Sequence, residues 1–398
     1  MLDAMIIGAG PAGLSAAISA AQHGLHVEIV DEYYQPGGRL LGQLHQEPDG
    51  EWWNGIEETE KLLEQIESLH ITIHCSTSVY DLQKVNKKWV TYTDQGNWES
   101  QAVLIATGAT ESPTPIPGWT LPGVMSIGAA QVLTNVQRIQ PGERGVVIGV
   151  NVLSFAIARE LQLAGVDVAG MLLPPPHLLS KSEGVPQEVL SSLLRFSHLA
   201  PSVLMHRGAP FVKGRLAKNL VTAFYPEKGM GVWGIPLQLR RTALEIKGKN
   251  QVEGIRVAKV NRKGELRNAI THDIDVDFVC IAGGLSPLAE LAAIAGCKFI
   301  HEDALGGYVP VHNEKMETAV SGLYVAGNIT GIESAKVAIS QGTIAGLVIA
   351  KSLGARMING KINEALQEVE SRRAAATIQF HPHVISSRES LYKTKKTQ

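Results

Sequence analysis

Hydrophobic and polar positions along this chain repeat with two different periods, one suited to strands and one to helices. Ala4-Met5-Ile6-Ile7 is a short apolar run ending at Gly8. Pro11 to His23 is an alanine-rich amphipathic stretch closed by Gly24, and Val27-Glu28-Ile29-Val30 then alternates with β-branched residues. This order predicts strand, helix and strand within about thirty residues. The spacing of Ile56, Leu62, Leu63, Ile66 and Leu69 predicts a helix over Gly55 to Leu69. Strand-like runs follow at Ile71 to His74, Ser78 to Leu82, Trp89 to Thr93 and Ala102 to Ala106.

A second unit of the same kind begins at Gly145-Val146-Val147-Ile148-Gly149, continues as a helix from Leu153 to Leu163 and returns as Val166 to Leu173. Two such units make an internal repeat at the level of domains. Between them, four prolines from Pro113 to Pro122 force an extended crossing and predict a boundary near residue 117. After Pro174-Pro175-Pro176, the region Val185 to Val260 reads as a helix followed by strands. Asp277 to Ala282 reads as a strand leading into Gly283-Gly284, and Ser286 to Ala295 as a helix. Leu323 to Asn328 is a strand ending in a polar turn, Ile332 to Leu353 a long helix, and Asn363 to Ala375 a helix before a polar tail.

The pattern predicts an α/β chain with two Rossmann-like dinucleotide-binding domains. Residues 1–117 and 285–355 form the first, discontinuous one, 118–284 the second, and 356–398 a C-terminal helix and tail.

Gly8-Ala9-Gly10-Pro11-Ala12-Gly13 fits G-x-G-x-x-G directly after a strand and opens a helix. Gly8 permits the tight turn, Gly10 lets the backbone approach a diphosphate, and Gly13 lets helix and strand pack closely. Pro11 and Ala12 place the helix N-terminus against the phosphates. Asp31 ends the second strand, where it can accept hydrogen bonds from ribose hydroxyls. Glu32 is adjacent, but alternation turns it away. Gly38 and Arg39 in Pro36-Gly37-Gly38-Arg39 supply a turn where an isoalloxazine ring can lie, and Ala106-Thr107-Gly108 a second close-approach turn. Val79, in the Ser78 to Leu82 strand, completes the early set, and Gly327, Asn328 and Gln341 the late one. Arg39 would place a cation near the ring, His45 and Gln43 follow the same turn, and Lys336 lies on the late helix.

This arrangement resembles the two-dinucleotide-domain FAD oxidoreductases, the class of thioredoxin and glutathione reductases. There the late turn carries an Asp; here it is Asn328. A narrower resemblance lies in Ala106 to Glu111, Pro115 to Val124 and Gly128-Ala129-Ala130-Gln131. These segments are similar to the FAD-containing larger subunits of opine dehydrogenase, hydrogen cyanide synthase and dye-linked proline or hydroxyproline dehydrogenase. The likeness runs from residue 1 to about 355. It implies a second flavoprotein subunit of glycine- or sarcosine-oxidase type that oxidises an amino or imino acid, with this chain carrying FAD and taking part in onward electron transfer.

Two departures refine that expectation. No cysteine follows Cys297, so a [2Fe-2S] cluster, if one is involved, must be brought by another small subunit, and FMN only by a partner. In the second loop, Gly149-Val150-Asn151-Val152-Leu153-Ser154, only the first glycine survives, and Leu172 stands where Asp31 stands in the first unit. Ordinary NAD(P)H binding is disfavoured. The helix N-terminus there still offers donors, which leaves ATP, NAD or no nucleotide open. The alternatives to an electron-relaying subunit are a self-contained NAD(P)H-dependent flavoprotein reductase and a non-catalytic FAD scaffold.

Composition excludes other classes. Of 398 residues, 44% are hydrophobic and 19% charged, and the net charge of −2 offers no basis for binding nucleic acid electrostatically. The basic run Lys393 to Lys396 reads as a solvated end. Cys75, Cys280 and Cys297 are too scattered for a redox pair or a metal site. Met1-Leu2-Asp3 lacks a basic leader and no apolar run is long enough to span a bilayer, so the expected location is cytoplasmic. No triad, paired carboxylates or other catalytic residue stands out.

Overall fold

The computed structural model describes residues 1–47, 50–195, 221–222, 225–226, 229–376 and 378–396. They form two compact units: residues 1–43, 54–110 and 285–398, and residues 44–53 with 111–284.

In the first unit, strands Thr72–His74, Val27–Val30, Leu2–Ile7 and Gly96–Ile105 lie side by side, all parallel, and Leu323–Val325 joins Gly96–Ile105 in parallel. Lys88–Thr93 and Val79–Val85 extend the sheet as an antiparallel meander. Ile7 is level with Val30 and Ile105, and Ile105 with Val325. The carboxyl ends of four parallel strands therefore share one edge, which gathers the loops at 8–13, 31, 106–108 and 326–328. Ligands of open α/β sheets bind at such an edge.

Alternation along Leu2–Ile7 sends Ala4 and Ile6 into a core under the helices, and Met5 and Ile7 into a second core with Leu82, Trp89 and Ala292. Helices Pro11–Ala21 and Ala335–Ser352 cross at very short range. A β-carbon on Gly342 would lie 2.0 Å from the Ala12 carbonyl oxygen, and one on Gly346 2.3 Å from that of Ala16. Glycine is required at both positions to let the backbones touch.

The C-terminal segment differs from the expected tail. Asn359–Ala374 is followed by a further helix, Val384–Lys396, whose Val384 and Leu391 are buried in a cluster with Leu305, Val309 and Val311. Its apolar positions are too few to register as a helical stripe. The segment expected as one helix, Ser286 to Ala295, is a short strand, Leu285–Pro287, and then Glu290–Ile294; Pro287 favours an extended start.

In the second unit, strands Val124–Ser126, Phe278–Ile281, Arg144–Ile148, Asp167–Leu173 and Ile235–Lys247 run parallel in that order. Gly254–Val260 and Leu266–Asp275 continue the sheet antiparallel. Strands Leu44–Gln46 and Trp52–Asn54 pair as a ribbon. The ribbon is tied to the helix Val152–Leu163 through Glu160, whose carboxylate accepts from Leu44 N at 3.3 Å, Gln131 Nε2 at 2.8 Å and Asn135 Nδ2 at 2.8 Å. His45 lies in this ribbon, its Nε2 3.4 Å from Glu47 Oε1.

Burial pushes the Glu160 carboxyl up to about 7 despite its three donors, and the Glu183 carboxyl likewise to about 7. The unfolded chain loses these protons in the ordinary carboxylate range. The stability linked to holding them in the fold is therefore complete in acid and lost as pH rises through about 7. For Glu160 this is about 3 kcal/mol at most. Urea midpoints should fall between pH 5 and pH 8, and Glu160→Gln should flatten its share of that fall while leaving the share of Glu183. An unchanged slope in the variant would remove Glu160 from the account.

Candidate flavin site

The first glycine loop is held tight at two of its glycines and open at the third. Gly8 has φ +104°, and its β-carbon would lie 2.5 Å from the Ala106 carbonyl oxygen; that of Gly13 would lie 1.8 Å from the Gly8 oxygen. At Gly10 a β-carbon would meet no protein atom within 4 Å, so this glycine borders open space. The helix Pro11–Ala21 has Gly10 at its N-cap, no side-chain cap and no acidic residue in its first turn. Its leading N–H groups, including those of Ala12 and Gly13, and the positive end of its dipole are left for an anion.

Asp31 stands beside this loop. Its carboxylate accepts from the Ala9 and Tyr33 amides, and burial raises its carboxyl above the ordinary value while those two bonds oppose the rise. Each oxygen keeps a lone pair for a further donor. The backbone of Asp31 accepts from Thr77 N at 2.9 Å, which ties it to the chain entering the Val79–Val85 strand. Glu32 is exposed.

The remaining predicted positions fall around the same edge. A β-carbon on Gly38 would sit 3.1 Å from Gly10 Cα, so the Gly37-Gly38 turn lies against the glycine loop. Arg39 is exposed and donates through Nε to the Ala109 carbonyl at 3.1 Å. Thr107 Oγ1 donates to Leu288 O at 2.6 Å, and Leu288 N to Gly108 O at 3.1 Å. A β-carbon on Gly108 would meet nothing within 4 Å.

Gln341 is tied to the late turn through its side chain. It lies inside the helix Ala335–Ser352, where its N–H belongs to the helical ladder. Its side-chain oxygen accepts the Gly327 amide at 2.8 Å. The available N–H groups lie a turn earlier, where Ser334 caps the helix and accepts from Val337 N at 3.4 Å. Asn328 Oδ1 accepts the Glu333 amide at 3.2 Å, a role an uncharged amide fills beside that acid. Glu333, and the Arg373 and Arg388 side chains that meet it, were not foreseen from the sequence. The one available signal was Ser334, a strong N-cap residue.

The second loop has the reverse construction. Asn151 caps the helix Val152–Leu163: its Oδ1 accepts Ser154 N at 2.9 Å, and Ser154 Oγ accepts Asn151 N at 2.9 Å. This reciprocal box consumes two of the donors a diphosphate needs. Leu172 is fully buried. Glu183 reaches toward Gly284, where a β-carbon would lie 3.7 Å from its Oε1, and adds an acid at the carboxyl end of the strand Phe278–Ile281.

A family model for pyridine nucleotide-disulphide oxidoreductases matches residues 2–342. The chain belongs to this family. It is an FAD-dependent oxidoreductase. All three of its cysteines are free, and burial pushes each thiol upward, so the disulphide chemistry of the family name is not carried by a cysteine pair here. Among the described residues there is no group of three or more His, Cys, Asp or Glu able to hold a metal ion, and no helix long and apolar enough to cross a membrane.

An opine oxidase subunit of Agrobacterium tumefaciens (strain Ach5) is 28% identical over 393 residues, covering 94% of this chain and 69% of that protein. Hydrogen cyanide synthase subunit HcnB of Pseudomonas aeruginosa is 25% identical, covering 87% of this chain and 70% of HcnB. Among solved structures, L-proline dehydrogenase from P. horikoshii superposes with a TM-score of 0.63 at 21% identity, over 91% of this chain and 58% of that one. This last likeness concerns the fold.

Proposed function

We propose that this chain is the FAD-containing subunit of a heteromeric amino-acid or imino-acid dehydrogenase of proline, hydroxyproline or opine type, passing electrons from a catalytic flavoprotein partner to an acceptor. The observation that carries this reading is the contrast between the two glycine loops. The first helix is uncapped and open at Gly10, whereas the second is closed on itself by Asn151 and Ser154. A chain able to hold FAD but poorly built for a nicotinamide nucleotide must exchange electrons with something else, and relatives named as subunits make a protein partner the natural choice.

The chain's own residues then have defined tasks. The N–H groups at Ala12 and Gly13 hold the diphosphate and Asp31 accepts from the adenosine ribose. The backbones at Gly37-Gly38 and Ala106-Thr107-Gly108 approach the cofactor, with Val79 and Arg39 at its margins. The Gly327-Asn328 turn and the N-terminal end of the Ala335–Ser352 helix meet the polar side of the flavin. When bound, FAD supplies a two-electron store that can also exchange electrons singly. Oxidation of the substrate is assigned to a partner of glycine- or sarcosine-oxidase type, and onward transfer to a small [2Fe-2S] subunit.

The test is purification from the native source, followed by anaerobic addition of proline, hydroxyproline or an opine to the assembled complex. Co-purification with a second flavoprotein and rapid bleaching of this chain's flavin are expected. A solitary protein, or flavin that stays oxidised in the complex with every such substrate, overturns the proposal.

A further inference from the structure

The most unusual buried chemistry in the first unit lies in residues that the flavin reading leaves without a task. Glu333, with 7% of its side chain exposed, receives two guanidinium groups: Arg373, 3% exposed, at 2.8 Å, and Arg388, 1% exposed, at 2.5 Å. One carboxylate is thus shared by two buried cations; among the described residues, the only further carboxylate bonded to them is that of Glu370, itself 62% exposed, at 2.7 Å from Arg373. Arg388 Nε and Nη1 are buried with no hydrogen-bond partner among those residues. The cluster therefore has a surplus of buried positive charge, an arrangement costly to maintain for stability alone.

Its connections lead to the cofactor edge. Arg388 Nη2 also donates to the Gly331 carbonyl at 3.2 Å, and it packs so closely that a β-carbon on Gly331 would lie 3.0 Å from it. Glu333 accepts from Gln341 Nε2 at 3.4 Å, and Gln341 in turn accepts from the Gly327 amide at 2.8 Å. The Glu333 amide donates to Asn328 Oδ1 at 3.2 Å. A continuous set of bonds thus runs from the Asn359–Ala374 and Val384–Lys396 helices through Glu333 to Gly327, Asn328 and the start of the Ala335–Ser352 helix. Both arginines lie beyond residue 342, where the match to the family model ends.

We infer that Arg388 and Arg373 are positioning residues of the flavin site: acting through Glu333, they fix the Gly327-Asn328 turn and hold surplus positive charge beside it, which raises the flavin's reduction potential. This inference rests on the FAD reading above. The electrostatic direction follows from charge alone, since reduction adds electrons to the flavin and a nearby buried cation favours the reduced form. Because coupling is reciprocal, FAD must also stabilise the helix that carries Arg388.

Two measurements on the full chain test this. In the first, the potential and FAD affinity of the holoprotein are compared for wild type, Arg388→Met and Arg388→Lys. Arg388→Met should weaken FAD binding about tenfold and shift the two-electron equilibrium about tenfold toward oxidised flavin, about 30 mV lower; Arg388→Lys should recover much of the potential but less of the affinity. In the second, amide hydrogen exchange of the Val384–Lys396 helix is followed in wild type with FAD removed and restored, which needs no variant to fold. Slower exchange in that helix with FAD is expected. Unchanged exchange, or a variant that melts earlier at unaltered potential and affinity, reduces the cluster to a structural clasp and overturns the inference while leaving FAD binding intact. A wild type that takes up no FAD overturns both readings.

Discussion

Gly10→Ala should purify as a folded, colourless protein. Gly10 has φ −76° and ψ −177°, a conformation any residue adopts, and its added methyl would meet no protein atom within 4 Å. Nothing in the fold opposes the change, so the thermal midpoint should stay within a degree or two of that of FAD-free wild type, an effect below about 0.5 kcal/mol. The methyl would instead occupy the space through which a diphosphate approaches the N–H groups of the Pro11–Ala21 helix. A loss of at least a hundredfold in FAD affinity is expected, about 2.7 kcal/mol. Gly13→Ala is the contrasting case, because its β-carbon would strike the Gly8 oxygen at 1.8 Å and disturb the fold itself. Titration of apoprotein with FAD decides the matter: wild-type affinity in Gly10→Ala would remove the cofactor from this loop.

Excess NADH should leave the flavin of the isolated chain oxidised. A nicotinamide nucleotide needs free N–H groups at the second helix, a ribose acceptor after the second strand and room for its phosphates. Asn151 and Ser154 have tied up the first, Leu172 cannot provide the second, and Glu183 places an acid near the third. Reduction at least a thousandfold slower than that driven by the substrate-oxidising partner is the expected stopped-flow result, a difference of about 4 kcal/mol. Bleaching within seconds would restore the self-contained reductase.

The first glycine loop was legible in the sequence because the features that carry it are local. A glycine pattern between an apolar run and an alanine-rich helix, with Asp31 at the end of the next strand, lies within a few turns of chain. The degraded second loop was readable by the same rule, although the way Asn151 and Ser154 close it on themselves was not. Other parts of the site depend on pairings that no periodicity reports. Glu333 meets Arg373 and Arg388 across 40 and more residues, and a buried ion cluster leaves no apolar stripe to mark it. The helix Val384–Lys396 went unread for that reason, since its most deeply buried residues include an arginine. The ribbon of Leu44–Gln46 and Trp52–Asn54 was likewise invisible, because Glu160, which holds it, reads in isolation as one more helix-surface acid.

The close crossing of the Pro11–Ala21 and Ala335–Ser352 helices has a consequence for how the protein is made. Ser19 Oγ donates to the Thr343 carbonyl, a bond between residues 324 positions apart, and Leu323–Val325 completes a sheet begun at Leu2. During synthesis the first glycine loop emerges early, but the Gly96–Ile105 strand keeps part of one edge unpaired until residues 323–325 have left the ribosome. An unpaired strand edge is a site for wrong association. The interval before residues 323–325 arrive is when this edge of the nascent chain is most exposed to wrong association.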